Sequence, residues 1–105
     1  TAIVVERPIP KMVAYCASKG ALAAAAAALR REVRQRTRDI DVIDVRPPHT
    51  ETGLAGRPIA GEAPKLPRGL QPEQVASRII AAIEAGETEV PGKAFLDSAG
   101  GRDAP

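Results

Sequence analysis

Residues 13–37 read V-A-Y-C-A-S-K-G-A-L-A-A-A-A-A-A-L-R-R-E-V-R-Q-R-T, and residues 39–46 follow with D-I-D-V-I-D-V-R. The first stretch has no proline and a single glycine, Gly20, and is dominated by alanine and arginine, which favour helix. At 100° per residue, Leu22, Ala26, Leu29 and Val33 form a narrow stripe, the predicted packing face. Arg30, Arg31, Arg34 and Arg38 fall on another side, predicted to face water. The second stretch places Ile40, Val42, Ile43 and Val45 on both faces of an extended segment, the pattern of a central strand in a parallel sheet covered on both sides.

Upstream, Thr1 to Glu6 reads T-A-I-V-V-E, the composition of a buried strand end, and Pro8 and Pro10 stop it. The order is then strand, long helix, strand. A parallel pair needs a crossover of about a dozen residues or more, which residues 13–37 supply. Downstream, Pro47 to Gly69 is rich in proline and glycine and too long for an ordinary connection, so a functional loop is expected, with a short helical turn from Thr52 to Ile59. A second helix is predicted to start at Pro72, suited to the first helical position, with Glu73 in the first turn. Val75, Ile79, Ala82 and Ile83 form its predicted buried face, and Gly86 its stop. Beyond Val90, proline, glycine and small polar residues predict a frayed tail.

This alternation predicts an α/β fold, a doubly wound parallel sheet. Two strands cannot make a sheet covered on both sides, so the fold is expected to be an incomplete portion of a larger one. The first residue is Thr1 and not methionine, which suggests processing or a start part-way through a gene product. With 105 residues the chain holds one domain at most. Residues 1–95 are assigned to it and 96–105 to a flexible tail. The apolar share is 44%, but aromatics contribute only 2% and alanine much of the rest, so the core is expected to be thin.

No apolar run reaches the roughly 18 residues of a membrane span, and no charged-then-apolar leader opens the chain, so a cytoplasmic protein without membrane association is expected. The lone Cys16 has no internal disulfide partner, which fits a reducing compartment. The net charge of +2 comes from arginines dispersed along the chain. Glu32 interrupts the cluster from Arg30 to Arg38 and no aromatic residues interleave for base stacking, which argues against a nucleic-acid partner. His49 with Glu51 falls short of a metal site.

The chemistry is concentrated at Tyr15 and Lys19, four residues apart and therefore one turn apart on the same face. A phenol, with a reference pKa near 10, is a poor base at neutral pH. An ammonium about 4 Å away at an effective dielectric near 20 supplies roughly 4 kcal/mol, about what a shift toward neutrality requires. Such a pair suits general acid–base work.

Tyr15-Cys16-Ala17-Ser18-Lys19-Gly20-Ala21-Leu22 resembles the Y-x-A-S-K-x-A-L signature of the short-chain dehydrogenases/reductases, at the head of a long helix as in that family. Ile3-Val4-Val5 resembles the strand before the family's active-site loop, Leu29-Arg30-Arg31-Glu32 its L-R-x-E segment, and Val45 to Thr52 its P-G-x-x-x-T segment. The resemblance covers roughly residues 1 to 90.

It implies an NAD(P)-binding Rossmann-like fold, here the C-terminal half, and an oxidoreductase that interconverts a carbonyl and an alcohol with NAD or NADP. In such enzymes the tyrosine donates or accepts the proton while hydride passes to or from the nicotinamide, and the lysine holds the nicotinamide ribose and assists the tyrosine. Tyr15 and Lys19 would take these roles as catalytic and cofactor-binding residues. Backbone groups of Pro47, Pro48, His49 and Thr50 would hold the carboxamide, and the Thr52 hydroxyl would approach the cofactor. Pro48 stands where the family has glycine and can neither adopt positive φ nor donate an N–H.

Residues 53–70 would be the substrate lid. The glycine-rich phosphate turn is absent from this sequence, so the cofactor site is incomplete and the chain is expected to be inactive alone. The family's substrate-positioning serine corresponds to Ala2, with the Thr1 hydroxyl one residue away. Members usually pair through long helices, which implies a homodimer or homotetramer in the full-length enzyme. The rival reading is a non-catalytic remnant or helical interaction module; a basic helical nucleic-acid binder ranks third.

Overall fold

The computed structural model describes residues 1–53, 56–57, 59 and 68–96. It consists of a single 3-10 turn at Ile3–Val5, helix α1 at Val13–Arg34, strand β1 at Asp44–Val45, helix α2 at Pro72–Ala85 and strand β2 at Glu89–Val90. β1 and β2 pair in parallel, Asp44 opposite Glu89 and Val45 opposite Val90. The helix of the opening stretch forms over most of its expected length, and α2 begins and ends where Pro72 and Gly86 predict. The side chains of Gln71 and Gln74 close a reciprocal capping box at its start, and Gly86 stops it with a left-handed φ of 74°.

The opening strand does not form as expected. The backbone nitrogens of Thr1 and Ile3 donate to the carbonyls of Val45 (2.8 Å) and Pro47 (3.4 Å), two residues apart on each segment, as along a parallel ladder. Regular pairing would need Pro47 to donate in return, and proline has no N–H. The ladder is therefore one-sided, and the chain turns at once into the Ile3–Val5 coil. β1 still lies between this edge and β2, the central position that its apolar pattern predicts. It is shorter than the eight-residue run because its partner strand begins only at Glu89, beyond the end of α2, and Ile40, upstream of the pairing, is exposed.

Two packing expectations need correction. The stripe of α1 that meets the rest of the chain holds Cys16, Gly20, Ala23, Ala26, Arg30 and Val33, all half-buried, while Leu22 and Leu29 remain 52% and 50% exposed. The packed face is rotated toward the small residues, and Arg30 belongs to it. Its aliphatic stem lies against the chain and its guanidinium donates to the carbonyls of Val42 and Thr88, both at 2.9 Å, so a residue assigned to the solvated side tethers α1 to both strand segments. On α2, Ala82 is fully buried and Val75 and Ile79 pack beside it, but Ile83 is exposed.

The core gathers Ala82, Val90 and Phe95, with Ile43, Val45, Leu70, Val75, Ile79 and Ala94 against it. Phe95 lies in the segment beyond Val90 that was expected to fray. Instead residues 92–96 are helical and Phe95, the sole phenylalanine, is 2% exposed. The expected helical turn over 52–59 falls partly, and the expected tail over 96–105 wholly but for Leu96, outside the described residues.

Asp44 is the one buried charge among the described residues, 3% exposed. Burial alone would raise its carboxyl. Hydrogen bonds from the Thr1 hydroxyl (2.6 Å), the Thr1 ammonium (3.2 Å) and Arg46 Nε (3.1 Å), with the ammonium's charge, outweigh that and hold it below its ordinary 3.8. Arg46 also reaches Glu6 at 3.6 Å and Glu89 at 3.4 Å, and Glu6 accepts the Gly92 amide at 3.1 Å.

Replacing Asp44 by alanine leaves Arg46 and the Thr1 donors without their buried acceptor and should cost about 3 kcal/mol in a denaturant melt. Since the folded carboxyl ionises below its unfolded value, its contribution is complete above about pH 3.8 and lost as pH falls below it through the lowered folded value. The Asp44→Ala stability curve should therefore lack the acid limb that the parent shows in that range.

Candidate functional site

Tyr15 and Lys19 stand on the first turns of α1, on the flank between the packed stripe and the exposed leucines. The i, i+4 spacing brings them together as the sequence predicts. Lys19 Nζ lies over the Tyr15 ring, 5.7 Å from its centroid, a cation–π geometry that holds the two side chains against each other. The ring is 41% exposed, so the phenol can be reached by a solute. Ser18 Oγ donates to the Tyr15 carbonyl at 2.9 Å and points back along the helix. The turn before the helix carries Lys11 at φ 66°, a left-handed conformation that favours glycine.

The second group of predicted residues leaves the C-terminal end of β1. The carbonyl of Pro47 accepts from Ile3, that of Pro48 from the Thr50 hydroxyl (3.0 Å), that of His49 from Leu70 (2.9 Å) and that of Thr50 from Thr52 (2.9 Å). The amides of His49 and Thr50 make no hydrogen bond among the described residues. This segment therefore presents donors while its carbonyls are already engaged. Among the described residues no hydrogen bond or ion pair joins Tyr15 or Lys19 to Pro47, Pro48, His49 or Thr50. The two groups are separate clusters, related by the strand-helix-strand order.

Several contacts beside the second cluster were not legible in the sequence. Glu51 Oε1 accepts the Gly69 amide at 2.7 Å and lies 3.4 Å from His49 Nε2. The Leu70 amide donates to His49 and the Glu51 amide to Leu70, each at 2.9 Å, a one-residue parallel bridge between Thr50 and Leu70. The two ends of the 53–68 stretch are thus stitched side by side. Gly69 is required there, because a Cβ would lie 2.7 Å from the His49 carbonyl carbon. A glycine beside an arginine before a predicted helix gives no sign of that contact.

The remaining candidates have ordinary roles. The Thr1 hydroxyl is committed to Asp44. Cys16 Sγ rests 4.0 Å from the Ile9 carbonyl, half-buried. No group of three metal-ligating side chains occurs among the described residues, and no helix there is long and apolar enough to cross a membrane.

The chain thus sets a parallel strand pair beside a long helix headed by an adjacent tyrosine and lysine, with the Pro47–Thr50 segment leaving the C-terminal end of β1. The family model for short chain dehydrogenase matches residues 1–62 of this chain, more than half of it, and the chain belongs to that family. Its members are oxidoreductases of Rossmann-like fold that generally bind NAD(P). The match takes in α1, β1 and the Pro47–Thr52 segment. The comparisons with curated proteins and with solved structures returned no match.

Substituting Gly69 by alanine should break the stitching, because His49 meets the new methyl group with backbone and cannot turn aside. A loss of about 2 kcal/mol is expected, on the scale of an overpacked contact, with faster amide exchange at Glu51 and Leu70. An unchanged melt would contradict the close approach.

Proposed function

We propose that this chain is the C-terminal half of an NAD(P)-dependent oxidoreductase domain that interconverts a carbonyl and an alcohol, with Tyr15 as proton carrier and Lys19 as its partner. The observation that carries the reading is the contact between Lys19 Nζ and the exposed Tyr15 ring within the family-matched region. When bound, the nicotinamide supplies or takes up hydride. The chain's own residues supply the proton and the orientation. In the direction of reduction Tyr15 Oη gives its proton to the forming alkoxide; in oxidation it takes the hydroxyl proton. Lys19, held against the ring, keeps its charge beside the phenol and would hold the ribose.

The residues present fit the nicotinamide end of the cofactor. The amides of His49 and Thr50, which make no hydrogen bond among the described residues, are suited to the carboxamide oxygen, and Thr52 to the same neighbourhood. They do not fit the phosphates, since no glycine-rich turn between strand and helix occurs in the sequence. We assign residues 1–95 to one incomplete domain, residues 53–70 to the substrate lid and residues 96–105 to a tail, and place the enzyme in the cytoplasm. Exposed Leu22 and Leu29 on α1 and Ile80 and Ile83 on α2 support assembly into a homodimer or homotetramer.

A second reading, a non-catalytic remnant or interaction module, is favoured by one observation. Ala2 occupies the serine position and the neighbouring Thr1 hydroxyl is bound to Asp44. A glycine-rich turn encoded in frame upstream supports the enzyme; a start codon directly before Thr1 supports the remnant.

Calorimetric titration of the chain with NADH and NADPH should show negligible binding, and micromolar affinity would overturn the assignment to half a site. Joined to an upstream nucleotide-binding half, the protein should lose roughly 10² or more of its turnover on Tyr15→Phe, which removes the proton donor and keeps the ring. Lys19→Met should lower turnover and also weaken cofactor binding. Near-normal turnover in Tyr15→Phe would leave the motif as helix packing.

A further inference from the structure

We propose that Glu51 is a positioning residue that locks the segment leaving β1 to the start of α2, so that the cofactor-facing backbone and the second helix move as one body. The inference rests on the reading of His49 and Thr50 as carboxamide donors, but its geometry stands apart from that chemistry. Glu51 is reached from both sides. Its carboxylate oxygen Oε1 takes the Gly69 amide at 2.7 Å and faces His49 Nε2 at 3.4 Å, while its own amide donates to Leu70.

Gly69 and Leu70 lead directly into Gln71, the residue that caps α2 and accepts from the amides of Gln74 (3.1 Å) and Val75 (3.3 Å). Leu70 and Val75 both pack on the Ala82–Val90–Phe95 core. A continuous path of short contacts therefore runs from the His49–Thr50 backbone through the Glu51 carboxylate to the first turn of α2 and the core. The Glu51 carboxylate adds a side-chain bond to the backbone bonds that join the two ends of the loop, and the Gln74 side chain accepts the Gln71 amide at 3.0 Å where the path enters α2.

A carboxylate accepting an amide is a charge-assisted bond, stronger than the neutral bonds beside it. It also holds the glycine amide against a backbone that leaves no room for a side chain, so register at the junction is set by Glu51 and Gly69 together. A glutamine at position 51 can keep the acceptor oxygen and loses only the charge. An alanine loses both.

Amide hydrogen exchange on the 105-residue chain without cofactor, with Glu51→Ala and Glu51→Gln compared to the parent, tests the proposal. Glu51→Ala should speed exchange at Gly69 about tenfold or more, and at Leu70, Gln74 and Val75 by a smaller but measurable factor. Glu51→Gln should restore most of the protection at all four. If Glu51→Ala changes Gly69 alone, Glu51 is a local contact and the coupling to α2 is wrong. If Glu51→Gln behaves as Glu51→Ala, the acceptor oxygen is not what holds the junction, and the proposal falls. Since no cofactor or turnover enters the measurement, its failure is distinct from a failure of Tyr15→Phe to impair catalysis.

Discussion

The Asp44 carboxylate is the interaction on which the rest of the arrangement depends. It lies on β1, the strand that pairs with β2 and receives the Thr1 end of the chain, and it is buried where an isolated charge would be prohibitively costly. Its compensation comes from three donors: the hydroxyl and backbone nitrogen of Thr1 on one side, and Arg46 Nε, two residues along the chain, on the other. Arg46 then extends the network to Glu6 and Glu89, and Glu89 stands 4.0 Å from Arg30 of α1. In a chain with so few aromatic residues, apolar burial among the described residues is limited to the group around Phe95 and Val90 and to Val4. The polar network holds together the elements that this small core does not reach.

That division explains which features were legible in advance. α2 could be placed to the residue because Pro72 and Gly86 act locally, through missing N–H and permitted φ, without reference to what the helix packs on. The long helix was legible from propensity, but its buried face was not. Leucine positions suggested one stripe, while close approach and the reach of Arg30 selected the neighbouring stripe of small residues. Period alone fixes which residues share a face, and the partner surface decides which face is used. The opening strand failed for a reason lying outside its own residues, at Pro47, the position that had to return its hydrogen bonds. Phe95 was overlooked because prolines and glycines around it resemble a tail, although a lone phenylalanine in an alanine-rich chain has few places to go but inside.

The candidate site divides in the same way. Tyr15 and Lys19 were readable because the contact between them is made within one helix, where spacing determines proximity. The junction at Glu51 and Gly69 was not, since it joins residues on either side of a long loop, and no periodicity links the two ends of a loop. Asp44 gave a faint signal. An acidic residue within a strand apolar on both sides must find a buried partner, and D-I-D-V-I-D-V-R offers three such acids with no indication of which one turns inward.

The position of Lys19 constrains how the pair can work. Its ammonium lies over the face of the ring, so the two side chains are held together by a cation–π contact and not through the phenol oxygen. The oxygen is thereby left clear of the lysine, and with Tyr15 41% exposed it stands open to a solute. The helix that carries the pair packs through small residues and Arg30, while Tyr15, Leu22 and Leu29 stay on its outer flank. One helix thus divides its work: one stripe anchors it to the chain, and the neighbouring stripe holds a preformed tyrosine–lysine contact outward.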